Sequence, residues 1–213
     1  MAADPIPPGL ISYDEYLRLE ALSEQRHDYV DGRMIPIGCD PDTYNPAVDM
    51  AGGSLEHSRI VVNIIGETGN RLKGKPCEVF DPNFRIGRPG SRRTHYPDAT
   101  IVCGPPAIDE RDKSRQTFLN PTVIFEVLSP TTESYDRVKK FDAYRELESL
   151  REYVLVYQTQ AEILTFFREA GGVWTFRVLR GTDGTLPLRS VDIELSLAEV
   201  YDRMTFEPPT EPA

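Results

Sequence analysis

The chain has 213 residues and a formal net charge of -10, with a pI near 4.9. Its length and apolar fraction suit one well-cored soluble domain spanning 1–213, and its charge argues against a broad basic surface that grips nucleic acid through many phosphates. No run approaches the ~18 apolar residues of a membrane helix, and the N-terminus lacks the basic and apolar regions of a signal peptide. Cys39, Cys77 and Cys103 are widely spaced with no CxxC, which predicts reduced, partly buried thiols and a cytoplasmic protein.

The proline-rich ends, about 1–9 and 207–213, read as disordered. Ser12-Tyr-Asp-Glu15 fits a capping box and predicts a helix over 12–22. Asp31-Gly32 between Arg26–Val30 and Arg33–Ile37 signals a two-residue hairpin. Residues 38–53 read as a loop, and Leu55, Ile60, Val61, Ile64, Ile65 and Leu72 recur at helical spacing, predicting a helix over 55–73. Strands are expected at 77–80, 83–86 and 98–103. The run Thr122-Val-Ile-Phe-Glu-Val-Leu128 predicts another. A helix over 133–148, marked by Val138, Phe141, Tyr144 and Leu147, leads to a strand at 153–157, and the order strand, helix, strand suggests a crossover within a mixed sheet. A hairpin at 162–168 and 173–179 extends it, and a short helix is expected at 196–204.

Period-2 alternation puts Val123, Phe125 and Val127 on one face of the central strand and Ile124, Glu126 and Leu128 on the other. A carboxylate in so apolar a strand costs several kcal/mol, on the order of other buried charges, unless it is paired, hydrogen-bonded or metal-bound. Asp98 at the start of a neighbouring strand and lysines on the next helix are the natural partners. With Phe141, Tyr144 and Leu147 as the inner face, Lys140 lies about 40° from its centre and Lys139 about 140° away, at roughly 100° per residue. Lys140 is the one that points in. Asp98, Glu126 and the backbone carbonyl of Val127 form a hard-oxygen set that suits Mg²⁺ or Mn²⁺, with Lys140 available to orient an attacking water or stabilise developing charge. That is the equipment of a hydrolytic nuclease. The same residues also permit a buried Glu126–Lys140 ion pair without chemistry. Ser129-Pro130 ends the strand and, with no base beside it, is not read as a nucleophile.

Tyr96-Pro-Asp98, Pro121 to Pro130, Asp136-Arg-Val-Lys-Lys-Phe-Asp-Ala-Tyr144 and Glu152 to Val156, with Ile11 to Tyr16, Arg26 to Arg33 and Glu56-His-Ser58, resemble in their order the Uma-type restriction endonuclease family of the PD-(D/E)XK nuclease superfamily. The likeness extends to about residue 168. It implies an α/β fold with a restriction-endonuclease-like core, a central mixed β-sheet flanked by helices with additional β-hairpins. It implies Asp98 and Glu126 as metal-binding acids and DNA as substrate, with a homodimer expected. The superfamily's lysine, two places after the glutamate, is Leu128 here. In the resembled family it has moved to the following helix, where Lys140 matches. Asp28 stands where related sequences carry glutamate, which puts any role there in doubt.

Further candidates are Glu56, as an extra metal-site acid or a first-turn carboxylate stabilised by the helix dipole; His57, which matches the family's helix-start histidine or is a satisfied, partly buried histidine; and Asp136, beside the lysines. His95 either hydrogen-bonds near the metal or is solvated. Arg88, Arg92 and Arg93, on a Gly/Pro loop, are candidate phosphate contacts or a solvated loop. The alternative function is a binding or interaction module that retains the fold with little or no cleavage.

Overall fold

Residues 9–45, 53–130 and 132–206 are described by a computed structural model. The proline-rich ends, and within the predicted 38–53 loop Pro46 and Gly52, lie outside these residues. Helix α1 (Tyr13–Glu20) starts where expected, the Ser12 hydroxyl accepting from the Glu15 amide at 3.1 Å. The reciprocal half of the capping box does not form, because the Glu15 carboxylate is engaged by Arg18. Strands β1 (His27–Val30) and β2 (Arg33–Pro36) pair through the Asp31-Gly32 turn. Both turn residues have positive φ, 50° and 92°, as a right-handed hairpin twist demands.

Helix α2 (Leu55–Leu72) follows, then β3 (Cys77–Phe80), β4 (Arg85–Ile86), β5 (Arg93–Thr94), β6 (Ala99–Cys103), β7 (Thr117–Phe118) and β8 (Val123–Leu128). Next come the helical segment α3 over 133–144, β9 (Glu152–Tyr157), β10 (Glu162–Arg168), β11 (Trp174–Arg180), β12 (Thr185–Leu188), β13 (Ile193–Ser196) and α4 (Leu197–Val200). Six strands form the central sheet in the order β11-β10-β9-β8-β6-β3. Only β8 and β9 are parallel, and α3 is the crossover that joins them. The β12–β13 hairpin had no sequence prediction, and it packs Leu186, Leu188 and Leu195 into the core.

The alternation of β8 holds as expected. Val123, Phe125 and Val127 pack against Ile60, Val61 and Ile64 of α2 on one face. Ile124 and Leu128 pack with Tyr144, Leu147 and Tyr153 on the other. Every residue of β8 is buried, so Glu126 is enclosed by protein on both sides of its strand.

Two expectations are corrected. The 133–148 helix ends at Tyr144, and its middle, Asp136–Lys140, winds as a π-turn. The wider turn advances each residue by less than 100°, so Val138, read as an inner position, is 57% exposed. Cys77 and Cys103 are not reduced thiols but a disulfide. The register of the antiparallel β3–β6 pair sets them directly opposite each other, a neighbourhood that sequence spacing does not reveal. The bond closes a sequence separation of 26 residues and ties the sheet's edge strand to the strand that begins after Asp98. In a chain-entropy account a loop of that size is worth about 3.5 kcal/mol. Cys103→Ser, or reductant, is therefore expected to lower the urea midpoint of the folded protein, and an unchanged midpoint would contradict the bond's role.

Candidate active site

Pro97 ends the approach to β6, and the ladder between β6 and β8 runs only as far as the Ala99–Phe125 pair. Beyond it Asp98 continues the pairing by other means. Its amide donates to the Phe125 carbonyl at 3.1 Å, and its Oδ2 accepts from the Val127 amide at 2.7 Å. The side chain thus takes the place of a backbone acceptor, which fixes the carboxylate beside Glu126. From the other side, the first turn of α2 brings His57, whose Nε2 lies 3.2 Å from Asp98 Oδ1. Burial works to lower the His57 pKa, but Asp98 outweighs it and the net shift is upward. The imidazole is held toward its charged form against the carboxylate.

Glu126 receives two groups from α3. Lys140 Nζ sits 3.1 Å from its Oε2, and the Tyr144 hydroxyl donates to its Oε1 at 3.2 Å. Lys140 also lies 2.9 Å from Asp136 Oδ1, four residues back on the π-turn. The Tyr153 hydroxyl pins that turn to β9 by donating to the Asp136 carbonyl at 3.0 Å. Lys139 points away, as the helix geometry predicted, to pair with Asp42 on the surface.

The electrostatics follow from one ammonium serving two buried acids. Burial pushes the Glu126 carboxyl well above its ordinary value; Lys140 pulls it back, while Asp136, Asp98 and Asp28 push it up again. Asp136 is raised by burial in the same way, against Lys140 and Thr132. Burial favours neutral Lys140, but Asp136, Glu126 and Asp28 more than reverse this and drive its pKa well up. Nζ therefore stays protonated throughout the neutral range. A lysine in that state is a charge stabiliser or a hydrogen-bond donor, not a base.

His57, Asp98, Glu126, Val127, Asp136 and Lys140 all line one cavity of about 510 Å³. The other candidates lie elsewhere. Glu56 is exposed and outside the cavity, on the solvent side of α2 beside exposed Leu55, so it does not join the acids. Arg88 pairs with Glu146 at 2.6 Å and Arg93 with Asp31 at 3.3 Å, while Arg92 donates to the Asp31 carbonyl at 3.2 Å. None of the three lines the cavity. His95 is not solvated: it is 1% exposed and does not line the cavity itself, but its Nδ1 lies 3.0 Å from Asp28 Oδ2, an acid that does.

Asp28, whose role the sequence left in doubt, lines the cavity and is buried. Burial would raise its pKa, but His95, Lys140 and the Tyr96 amide, which donates to Oδ1 at 2.9 Å, hold it below its ordinary value. It fixes the segment that leads into Asp98. Tyr144 and Arg26 were missed as well. Tyr144 carries the same helical spacing as Phe141 and was read only as core; Arg26 sits beside the predicted hairpin and lines the cavity.

The donor set fits a hard divalent cation. Among the described residues no group of three or more His, Cys, Asp or Glu side chains is placed to hold a metal ion by itself. Two acids and a carbonyl, with water completing the shell, are nevertheless a common Mg²⁺ arrangement. Five acids, Glu24, Asp28, Asp98, Glu126 and Asp136, line the cavity with Arg26, Lys140 and His57, an excess of negative charge that a cation would relieve; Glu126 and Asp136 are raised first by burial and further by neighbouring carboxylates.

The chain is similar to known proteins over most of its length. Two uncharacterized proteins of Synechocystis sp. are similar over most of their length: slr1290 at 31% identity over 197 residues, covering 92% of this chain and 94% of that protein, and sll1609 at 25% over 177 residues, covering 83% and 92%. The crystal structure of a "putative nuclease belonging to DUF820" from Anabaena variabilis superposes with a TM-score of 0.66 at 18% identity, covering 89% of this chain and 97% of that one. That likeness establishes the nuclease-like fold. The Uma2 family model, described as "Putative restriction endonuclease", matches residues 13–198. With that match spanning most of the chain, and with the motif order expected of it present around the cavity, the chain belongs to the Uma2 family.

Proposed function

We propose that this protein is a Mg²⁺- or Mn²⁺-dependent endodeoxyribonuclease that hydrolyses DNA phosphodiester bonds. The observation that carries the reading is the meeting of Asp98, Glu126 and Lys140, from three different elements, in one cavity. Asp98, Glu126 and the Val127 carbonyl would hold the cation. A bound divalent ion supplies Lewis-acid polarisation of the phosphodiester and a more acidic water. Lys140, kept as an ammonium, orients that water or stabilises the charge that develops on the phosphoryl oxygens. His57 and the Val127 amide grip opposite oxygens of Asp98, which keeps that carboxylate in place.

One observation favours the alternative of a nuclease-fold binding module: Lys140 already faces both Glu126 and Asp136. A cleavage assay separates the readings. Among plasmid, duplex and single-stranded oligonucleotide DNA, at least one form should be cut in Mg²⁺ or Mn²⁺ and not in EDTA. Asp98→Asn should cut at least about 10²-fold more slowly, the scale of losing a positioned catalytic group. No cleavage of any DNA form by the wild-type protein would favour the binding module, and equal cleavage by Asp98→Asn would remove Asp98 from the site.

A further inference from the structure

We infer that the cavity takes a single nucleotide of an unpaired DNA strand, gripping one phosphate through Arg26, and does not dock a duplex along its backbone. This rests on the nuclease reading above and names the substrate form.

The inference begins with where the positive charge is. Every lysine and arginine of the chain lies within the described residues, since 1–8, 46–52, 131 and 207–213 contain none. Only two of them, Arg26 and Lys140, line the cavity. Lys140 is compensated twice over by Glu126 and Asp136. The loop arginines that would have formed a phosphate strip are turned to Glu146 and Asp31. Arg26 differs in kind. It is exposed, and its two hydrogen-bond acceptors, the Pro82 carbonyl at 3.2 Å and the Asn83 side-chain oxygen, are both neutral. Its charge is anchored in position but not cancelled.

The acids around it set the limit. Glu24 and Asp28 line the same cavity as the three acids of the site. A duplex carries about one charge per 1.7 Å of axis, so docking it would bring several phosphates against these carboxylates, with one uncompensated arginine and the proposed divalent cation to offset them. An unpaired strand can present one phosphate to Arg26 and keep the rest in solvent. The size agrees: about 510 Å³ is in the range of pockets for small organic ligands and suits one nucleotide, not a groove for a helix. Entry of a base from a duplex would add an unstacking cost of a few kcal/mol, on the order seen for flipped bases, which an unpaired strand avoids. The Gln25 amide is also on the wall, as is the Gln158 amide, whose Oε1 accepts from the Ser54 hydroxyl at 2.9 Å and whose NH₂ group is a donor for a base edge.

The test is salt dependence. Fluorescence anisotropy with a labelled single-stranded DNA 12-mer and its duplex, in Mg²⁺, would be read at early times alongside cleavage of each. One single-strand phosphate predicts affinity falling only about 3-fold between 50 and 200 mM salt, whereas six to ten duplex contacts predict about 10³–10⁵-fold. The expected result is tighter binding and faster cleavage of the single strand, a shallow slope, and a slope near zero with raised KM in Arg26→Gln. Arg88→Gln should behave as wild type. Duplex preference with a steep slope, or single-strand binding indifferent to Arg26→Gln, overturns the inference while leaving the nuclease reading intact. Absence of cleavage of both forms overturns the two together.

Discussion

Lys140→Met is expected to abolish cleavage and to lower folding stability at neutral pH by about 3–5 kcal/mol, the usual cost of removing one partner from a buried charge set. The side chains of Lys140, Glu126 and Asp136 are 12%, 4% and 4% exposed. Without the ammonium, two buried carboxylates face each other with Asp98 and Asp28 close enough to add to the repulsion. They respond by holding protons more tightly. A carboxyl whose folded pKa lies above its unfolded value stabilises the fold fully below that unfolded value, here about 4.5 for glutamate, and loses this as pH rises through the folded value. The variant should therefore be least destabilised in acid and fall further behind wild type toward neutrality. Urea denaturation between pH 4.5 and 8 measures this. Adding Glu126→Gln to Lys140→Met should recover part of the stability and none of the cleavage, because it removes a stranded charge together with one of the two acids proposed to hold the cation. A Lys140→Met protein as stable as wild type at neutral pH would mean that the three groups are not mutually buried.

That the same lysine emerges from sequence and structure has a definite physical basis. Glu126 is legible because nothing else in Val123–Leu128 is polar, and Lys140 because Phe141, Tyr144 and Leu147 define a face that includes it. The π-turn shifts that face enough to expose Val138, yet not enough to exchange Lys140 for Lys139. What sequence could not show are contacts made by register or between distant elements. The Cys77–Cys103 bond depends on how β3 slides against β6. Asp28 reaches the cavity only because β1 lies beside β5, the strand just before His95 and Tyr96. The three loop arginines looked free for phosphate because their partners, Asp31 and Glu146, are far away in the chain. Local pattern thus identifies groups that need a partner, while pairing geometry decides which partner they receive.

The second large effect lies away from the cavity, at Arg85 and Asp112. Arg85 is among the most deeply buried side chains, 1% exposed, and its Nη2 meets Asp112 Oδ2 at 2.7 Å. The guanidinium also lies 5.6 Å from the ring centroids of both Tyr16 and Tyr96. Asp112 collects further donors from its own loop: the Ser114 and Gln116 amides, each at 3.0 Å, and the Thr117 hydroxyl at 2.7 Å. Burial raises its pKa, but the Ser114 and Thr117 hydroxyls, Arg85 and the Gln116 amide outweigh burial, so the carboxyl sits below its ordinary value of 3.8. A depressed carboxyl stabilises the fold above its unfolded pKa and ceases to do so as pH falls through its folded value. Wild-type stability should therefore decline below about pH 4, with this group contributing to the acid limb. Asp112→Asn strands Arg85 among aromatic rings and is expected to cost about 3–5 kcal/mol at neutral pH, with a flatter acid limb. Arg85→Met alone should cost a similar amount by leaving Asp112 uncompensated, though its loop donors soften the loss. Because replacing both members of a buried pair by groups that pack well is often nearly neutral, the Arg85→Met, Asp112→Leu double variant should be more stable than the sum of the single losses predicts. The coupling, read from urea midpoints in a double-mutant cycle, separates a paired charge from two independently packed side chains. Additive losses would show that Arg85 is held by Tyr16 and Tyr96 rather than by Asp112.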